Sequence, residues 1–203
     1  CFSLSEHMKL EQKNSLDWMS EPKARNAAQI KKELVDFFQH RKPDFEVIDE
    51  VMYGLNRRMA DQVFFNSDIT IAIEIKSDLD SLTKIESQLN DYILVFDYVY
   101  IAIAKKHLEN FLKSYDKNFS IGILLIDTKI KLLRRAKKQK EKQKQSMLFT
   151  VNSDILRSLL PNKKLNADEL RGKICKKSMK TAQKLLITQL KEKRIERLRS
   201  NKF

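Results

Sequence analysis

The chain has 203 residues, 40 Lys and Arg against 27 Asp and Glu, a formal net charge of +13 and 42% hydrophobic residues. That length suits one full α/β domain with a smaller appendage, and no apolar run reaches the roughly 18 residues of a membrane span. Cys1 and Cys175 are too few for a disulfide framework and have no zinc spacing, so a reducing, cytoplasmic setting with no membrane partner is expected.

Residues 1–22 carry no motif and begin without Met, so they read as an N-terminal extension or added residues. Residues 25–40 repeat apolar side chains at Ile30, Leu34, Phe37 and Phe38, one helical face, and Pro43 stops the helix. Residues 45–52 read as a strand. Residues 60–66 and 69–76 are rich in β-branched and aromatic residues around Asn66-Ser67-Asp68, a turn signature, and read as a hairpin.

A helix over residues 81–95 follows, with Asp80-Ser81 expected to cap it. Residues 97–104 form a continuous apolar run, as in a strand covered on both faces. Residues 106–115 are helical and residues 120–127 another buried strand. The order argues for the α/β class, a mixed sheet flanked by helices. Residues 130–145 begin apolar and end in a Lys/Gln run, so they read as an exposed helix or a mobile linker that holds the domain boundary. The core is therefore expected over 23–135, with 136–150 an exposed helix or mobile linker.

Residues 151–203 form a small basic helical region, with helices at 154–160, 168–175 and 181–198 and a break at Pro161-Asn162. Leu185, Leu186, Leu190 and Leu198 give the last helix an apolar stripe. Lys184, Lys191, Lys193, Arg194, Arg197 and Arg199 are expected to face outward.

If the hairpin turn centres on Ser67 and Asp68, facing residue numbers sum to 135, and Asp61 faces Glu74. Opposed side chains in such a pair have Cβ atoms about 4.5 to 5.5 Å apart, close enough for two carboxylates to share a divalent ion. Without a cation they repel, which raises a pKa. Lys76 leaves the strand on the same face as Glu74. Hard oxygen ligands suit Mg2+ or Mn2+, with the Ile75 carbonyl as an extra ligand and a water lined up by Lys76 as nucleophile.

Asp68 belongs to the turn, and His7, His40 and His107 lack metal-ligand spacing. An exposed strand face carrying an Asp and a Glu-x-Lys can also be an ordinary cross-strand ion pair. Gln88 and Tyr92, four apart, share a helical face that would otherwise be ordinary amphipathic surface.

These residues together resemble the PD-(D/E)XK nuclease superfamily, RecB-like branch: Asp61, then Glu74-Ile75-Lys76, then Gln88 and Tyr92 in a Q-x-x-x-Y arrangement. The resemblance spans roughly residues 25–127. Within the superfamily it is similar to small bacterial members with a basic helical C-terminal part, through Met59-Ala60-Asp61-Gln62-Val63, Glu74-Ile75-Lys76-Ser77-Asp78-Leu79-Asp80 and Val95-Phe96-Asp97-Tyr98-Val99.

The resemblance implies a restriction-endonuclease-like fold and hydrolysis of phosphodiesters, with Asp61, Glu74 and Lys76 catalytic and Gln88 and Tyr92 supporting. It also implies a further helix-borne glutamate, a slot that Glu33 or Glu50 could fill, with Glu33 favoured. No proline precedes Asp61, a departure from the family pattern.

Charge divides unevenly. Residues 1–127 hold 16 Lys and Arg against 21 Asp and Glu, net −5, whereas residues 128–203 hold 24 against 6, net +18. Such a basic half is either a solvated surface or a polyanion contact, and beside a nuclease site the expected partner is DNA, with RNA open. Arg57, Arg58, Arg134, Arg135, Lys137 and Lys138 are the candidate phosphate contacts. Cutting both strands with one site would call for a homodimer or two visits. The rivals are a non-catalytic nucleic-acid-binding module on the same fold and a basic interaction protein.

Overall fold

In the computed structural model, residues 25–160 and 164–200 are described; the expected N-terminal extension at 1–22 and the Pro161-Asn162 break lie outside them. Helix α1 (Ala27–Gln39) starts at Asn26, whose side chain accepts the Gln29 N–H while the Gln29 side chain accepts the Asn26 N–H, a reciprocal capping box. Ile30, Leu34 and Phe38 bury the face that their spacing predicts.

Strands β1 (Glu46–Tyr53), β2 (Arg58–Phe65) and β3 (Thr70–Lys76) form an antiparallel meander. Helix α2 (Ile85–Ile93) leads to β4 (Tyr98–Ala104), and α3 (Lys105–Ser114) leads to β5 (Gly122–Ile126). Both crossovers leave β3, β4 and β5 parallel, and β6 (Ile130–Arg134) returns antiparallel along the edge. The six strands lie in chain order.

Two local expectations change. Helix α2 begins at Ile85, because Asp80 is already used: its carboxylate accepts the Ser77 N–H at 2.7 Å and the Ser77 hydroxyl at 2.5 Å. Residues 130–134, read as the start of a linker or helix, are a strand. The free edge of β5 offers backbone donors and acceptors that this apolar segment satisfies.

Helices α4 (Lys144–Thr150), α5 (Ser153–Leu159), α6 (Ala167–Cys175) and α7 (Met179–Ser200) complete the described chain. Residues 136–143 are pinned to the sheet rather than free. The N–H groups of Lys137, Gln139 and Gln143 donate to the carbonyls of Ser120, Asp97 and Leu94, each at 2.8 Å. One hydrophobic cluster joins Val51, Val63, Ile101 and Ile123 of the sheet to Leu89 of α2, Leu148 of α4, Leu170 of α6 and Leu186 of α7. The basic helices therefore extend the core of the sheet.

The opposite face packs Phe64, Ile71, Ile73 and Ile75 against Ile30, Leu34 and Phe38 of α1. Alternation along β3 thus sends its isoleucines to α1 and sends Ala72, Glu74 and Lys76 to the other face. The far part of α7 also departs from expectation. Arg194 pairs with Glu46 at 2.8 Å and Arg197 donates to the Glu50 carbonyl at 2.9 Å, so both clamp β1 instead of facing outward.

Candidate active site

The hairpin has the register read from its turn: Val63 faces Ala72 and Gln62 faces Ile73, pairs that sum to 135. Asn66 sets it, its side-chain oxygen accepting the N–H groups of Asp68 at 3.0 Å and Ile69 at 2.9 Å. At the open end the Asp61 carboxylate takes the Ile75 N–H at 2.7 Å, so a side chain ties the two strands at the position of the Asp61 and Glu74 pair. Across from Asp61, Glu50 has φ +50° and is skipped by the β1–β2 ladder.

Glu74 is almost wholly buried. One of its oxygens accepts the Tyr92 hydroxyl at 2.8 Å and the other meets the Lys76 ammonium at 2.8 Å. Lys76 also donates to the Gln88 side-chain oxygen at 3.1 Å, and the Asp61 N–H reaches the Tyr92 hydroxyl oxygen at 3.3 Å. The helical pair Gln88 and Tyr92, the acids Asp61 and Glu74, and Lys76 therefore form one connected cluster.

Burial, then the Glu74 charge, pushes the Asp61 carboxyl up to about 6, against the Ile75 N–H and the Lys76 and Lys31 charges. Burial and Glu74 also hold the Tyr92 phenol well above its ordinary range. Tyr92 is thus a neutral donor throughout the physiological range.

Two features have no signature in the sequence. Tyr53 from β1 packs its ring 4.8 Å from that of Tyr92 and turns its hydroxyl to the Gln88 carbonyl at 3.5 Å, backing the cluster. Lys31 of α1 adds a positive field at Asp61. Both act through the tertiary fold, and neither belongs to a local pattern.

Each candidate accessory glutamate is engaged by a cation. Glu33 pairs with Arg25, on the side of α1 that faces the start of β6. Glu50 pairs with Lys31 at 3.0 Å, a contact that holds its carboxyl below the usual value. Ile75 gives its N–H to Asp61 and buries its side chain against α1. Among the described residues no cluster of three or more His, Cys, Asp and Glu side chains forms a metal site.

Several proposed phosphate contacts have internal partners. Arg58 is held by Asp91, which Asn56 also contacts at 3.1 Å. Arg134 grips Asp116 with both terminal nitrogens, at 2.7 and 2.6 Å, and donates to the Ile121 carbonyl at 2.8 Å. Arg135, Lys137 and Lys138 are exposed, but β6 runs opposite to β5 and carries them away from the end where β3 finishes. Lys137 is bonded beside Ser120, ahead of β5, and Gln139 beside Asp97, whose carboxylate contacts Thr70 at the beginning of β3. Arg57 is exposed on the β1–β2 turn.

Residues 20–202 match the family model described as Bacteriophage P4 protein cII. The chain belongs to the bacteriophage P4 cII family. No curated protein matches it. A solved structure of a Silicibacter pomeroyi protein of unknown function matches at 16% identity with a TM-score of 0.38, covering 62% of this chain and 86% of that one, a likeness too slight to bear on the site. The chemistry of the site rests on its own residues.

Proposed function

We propose that this cII-family chain is a divalent-metal nuclease that hydrolyses phosphodiester bonds, with DNA as the substrate. The supporting observation is the joined cluster of Asp61, Glu74 and Lys76 backed by Gln88 and Tyr92. The donor set fits a magnesium-like ion, which takes one or two protein carboxylates and fills its other positions with water and substrate phosphate. Asp61 and Glu74 would hold it.

When bound, Mg2+ or Mn2+ supplies Lewis acidity toward a phosphate oxygen and makes water more acidic. Lys76 places a positive charge where negative charge grows on the phosphoryl oxygens, and Gln88 fixes its ammonium. Tyr92 holds Glu74 in place by donating to it. In the net step a water oxygen bonds to phosphorus and a P–O ester bond breaks. The leaving oxygen takes a proton, giving a phosphate monoester and a hydroxyl.

Both oxygens of Glu74 are already engaged by Lys76 and Tyr92, which favours a second reading, a nucleic-acid-binding module without turnover. The test compares cleavage of supercoiled plasmid and labelled single strands by the parent and by Lys76→Ala, with Mg2+ or Mn2+ and then with chelator. Cutting that needs metal and disappears in the variant supports the nuclease. A parent that binds but cuts neither substrate is the binding module.

A further inference from the structure

A cleft of about 310 Å3 opens between the β1–β2 turn and helices α4, α6 and α7. That volume is at the lower end of ligand pockets, which run from about 300 to 1,000 Å3. Its charged lining is three cations, Arg57, Arg171 and Lys193, against one carboxylate, Glu196.

The cations differ in how they are held. Arg171 is fixed: it donates to the carbonyls of Leu148 at 3.1 Å and Val151 at 3.3 Å, pairs with Asp168 at 2.9 Å and lies over the Phe149 ring at 4.7 Å. Arg57 and Lys193 are not. Among the described residues neither side chain has a hydrogen bond or an ion pair, and Arg57, whose N–H donates to the Gly54 carbonyl, sits at φ +48°, a conformation that L side chains rarely adopt.

Lys193 is half-buried, and burial first, then the Arg197 and Arg57 charges, lower its pKa against the pull of Glu196. Gathering unpaired cations in a part-buried cleft costs free energy that an anion of matching geometry would offset. Guanidinium and ammonium groups lining one cleft suit phosphate oxygens.

We propose that this cleft is a phosphate-binding pocket, in which Arg57 and Lys193 receive the phosphate of a nucleotide or of a nucleic-acid strand and Arg171 lends a fixed charge. The Tyr53 ring stands between the pocket and Tyr92, so the pocket is separate from the acid cluster and needs no metal.

The test is calorimetric titration of the full chain, in chelator and low salt, with inorganic phosphate, adenosine monophosphate and a short oligothymidylate lacking a terminal phosphate. The chelator removes any metal-bridged phosphate at the acid cluster, which keeps the result independent of the nuclease reading. Each of Arg57→Asn, which tolerates the positive φ, and Lys193→Gln should weaken phosphate binding about tenfold, as expected for loss of one charge-assisted contact.

Lys184→Gln, an exposed change elsewhere on α7, should leave binding within about twofold, since surface charges away from a site contribute little. Arg57→Asn alone must show its loss if the Lys193 variant folds poorly. Binding of the two small probes but not the oligothymidylate assigns the pocket to free nucleotides; binding of all three assigns it to strands. Parent-like binding by Arg57→Asn, no binding of any probe by the parent, or equal weakening by Lys184→Gln overturns the proposal.

Discussion

Two buried acid–lysine pairs in this molecule have nearly the same exposure and different consequences. Glu74 and Lys76 have side chains 3% and 11% exposed, and Asp97 and Lys142 are 3% and 10% exposed. Asp97 is saturated: beside Lys142 it accepts the Thr70 N–H and hydroxyl, both at 3.0 Å, and the Gln183 amide at 2.6 Å. It ties β3, the 136–143 segment and α7 together.

Glu74 instead has a second carboxylate, Asp61, tied to the adjacent strand and pushed up to about 6 by burial and by Glu74 itself. Burial of an ion pair therefore does not single out a site. Surplus negative charge beside one does, because it leaves room for a proton or a cation.

The largest expected difference is in chemistry. Lys76→Ala should lower metal-dependent cleavage by about a thousandfold, the scale of losing a positioned charge at a phosphoryl centre, whereas Lys142→Met should leave cleavage by the folded protein unchanged. Plasmid nicking rates per folded molecule decide it. Stability should reverse the order: Lys142→Met leaves Asp97 buried without its cation and should cost about 3–5 kcal/mol in denaturant unfolding.

Asp61→Asn gives the smallest effect and fixes its sign. The Asp61 carboxyl is raised from 3.8 to about 6 in the folded protein, so the folded state holds its proton more tightly than the unfolded state. Stability from this residue therefore falls as pH rises from about 4 to 6. In chelator at pH 7, Asp61→Asn should be more stable than the parent by about 1 kcal/mol, because the amide still accepts the Ile75 N–H without the charge. The gain should vanish below about pH 4, and a gain that grows on acidification would contradict the repulsion.

What was legible in the sequence was local. The Asn66-Ser67-Asp68 turn specified the register, the register placed Asp61 across from Glu74, and period two put Lys76 beside Glu74. The four-residue spacing of Gln88 and Tyr92 set both on the helix face that meets the site. Partners set by the tertiary fold were not legible: Arg58 found Asp91 33 positions away, and Arg134 found Asp116 18 positions away.

The placement of Glu33 has a related cause. The Ile30, Leu34 and Phe38 stripe fixes how α1 rotates, and that rotation turns Glu33 toward the start of β6. That strand lies in a stretch read as an exposed helix or a linker, because its edge pairing with β5 has no local signature. The C-terminal helices likewise read as a separate region, although their leucines complete the core of the sheet.

The most direct measurement is a calorimetric titration of Mn2+ into the parent, Asp61→Asn and Asp97→Asn. Saturable binding by the parent, its loss in Asp61→Asn and its retention in folded Asp97→Asn are the expected results. No binding by the parent, or equal binding by Asp61→Asn, would contradict a cation held between Asp61 and Glu74.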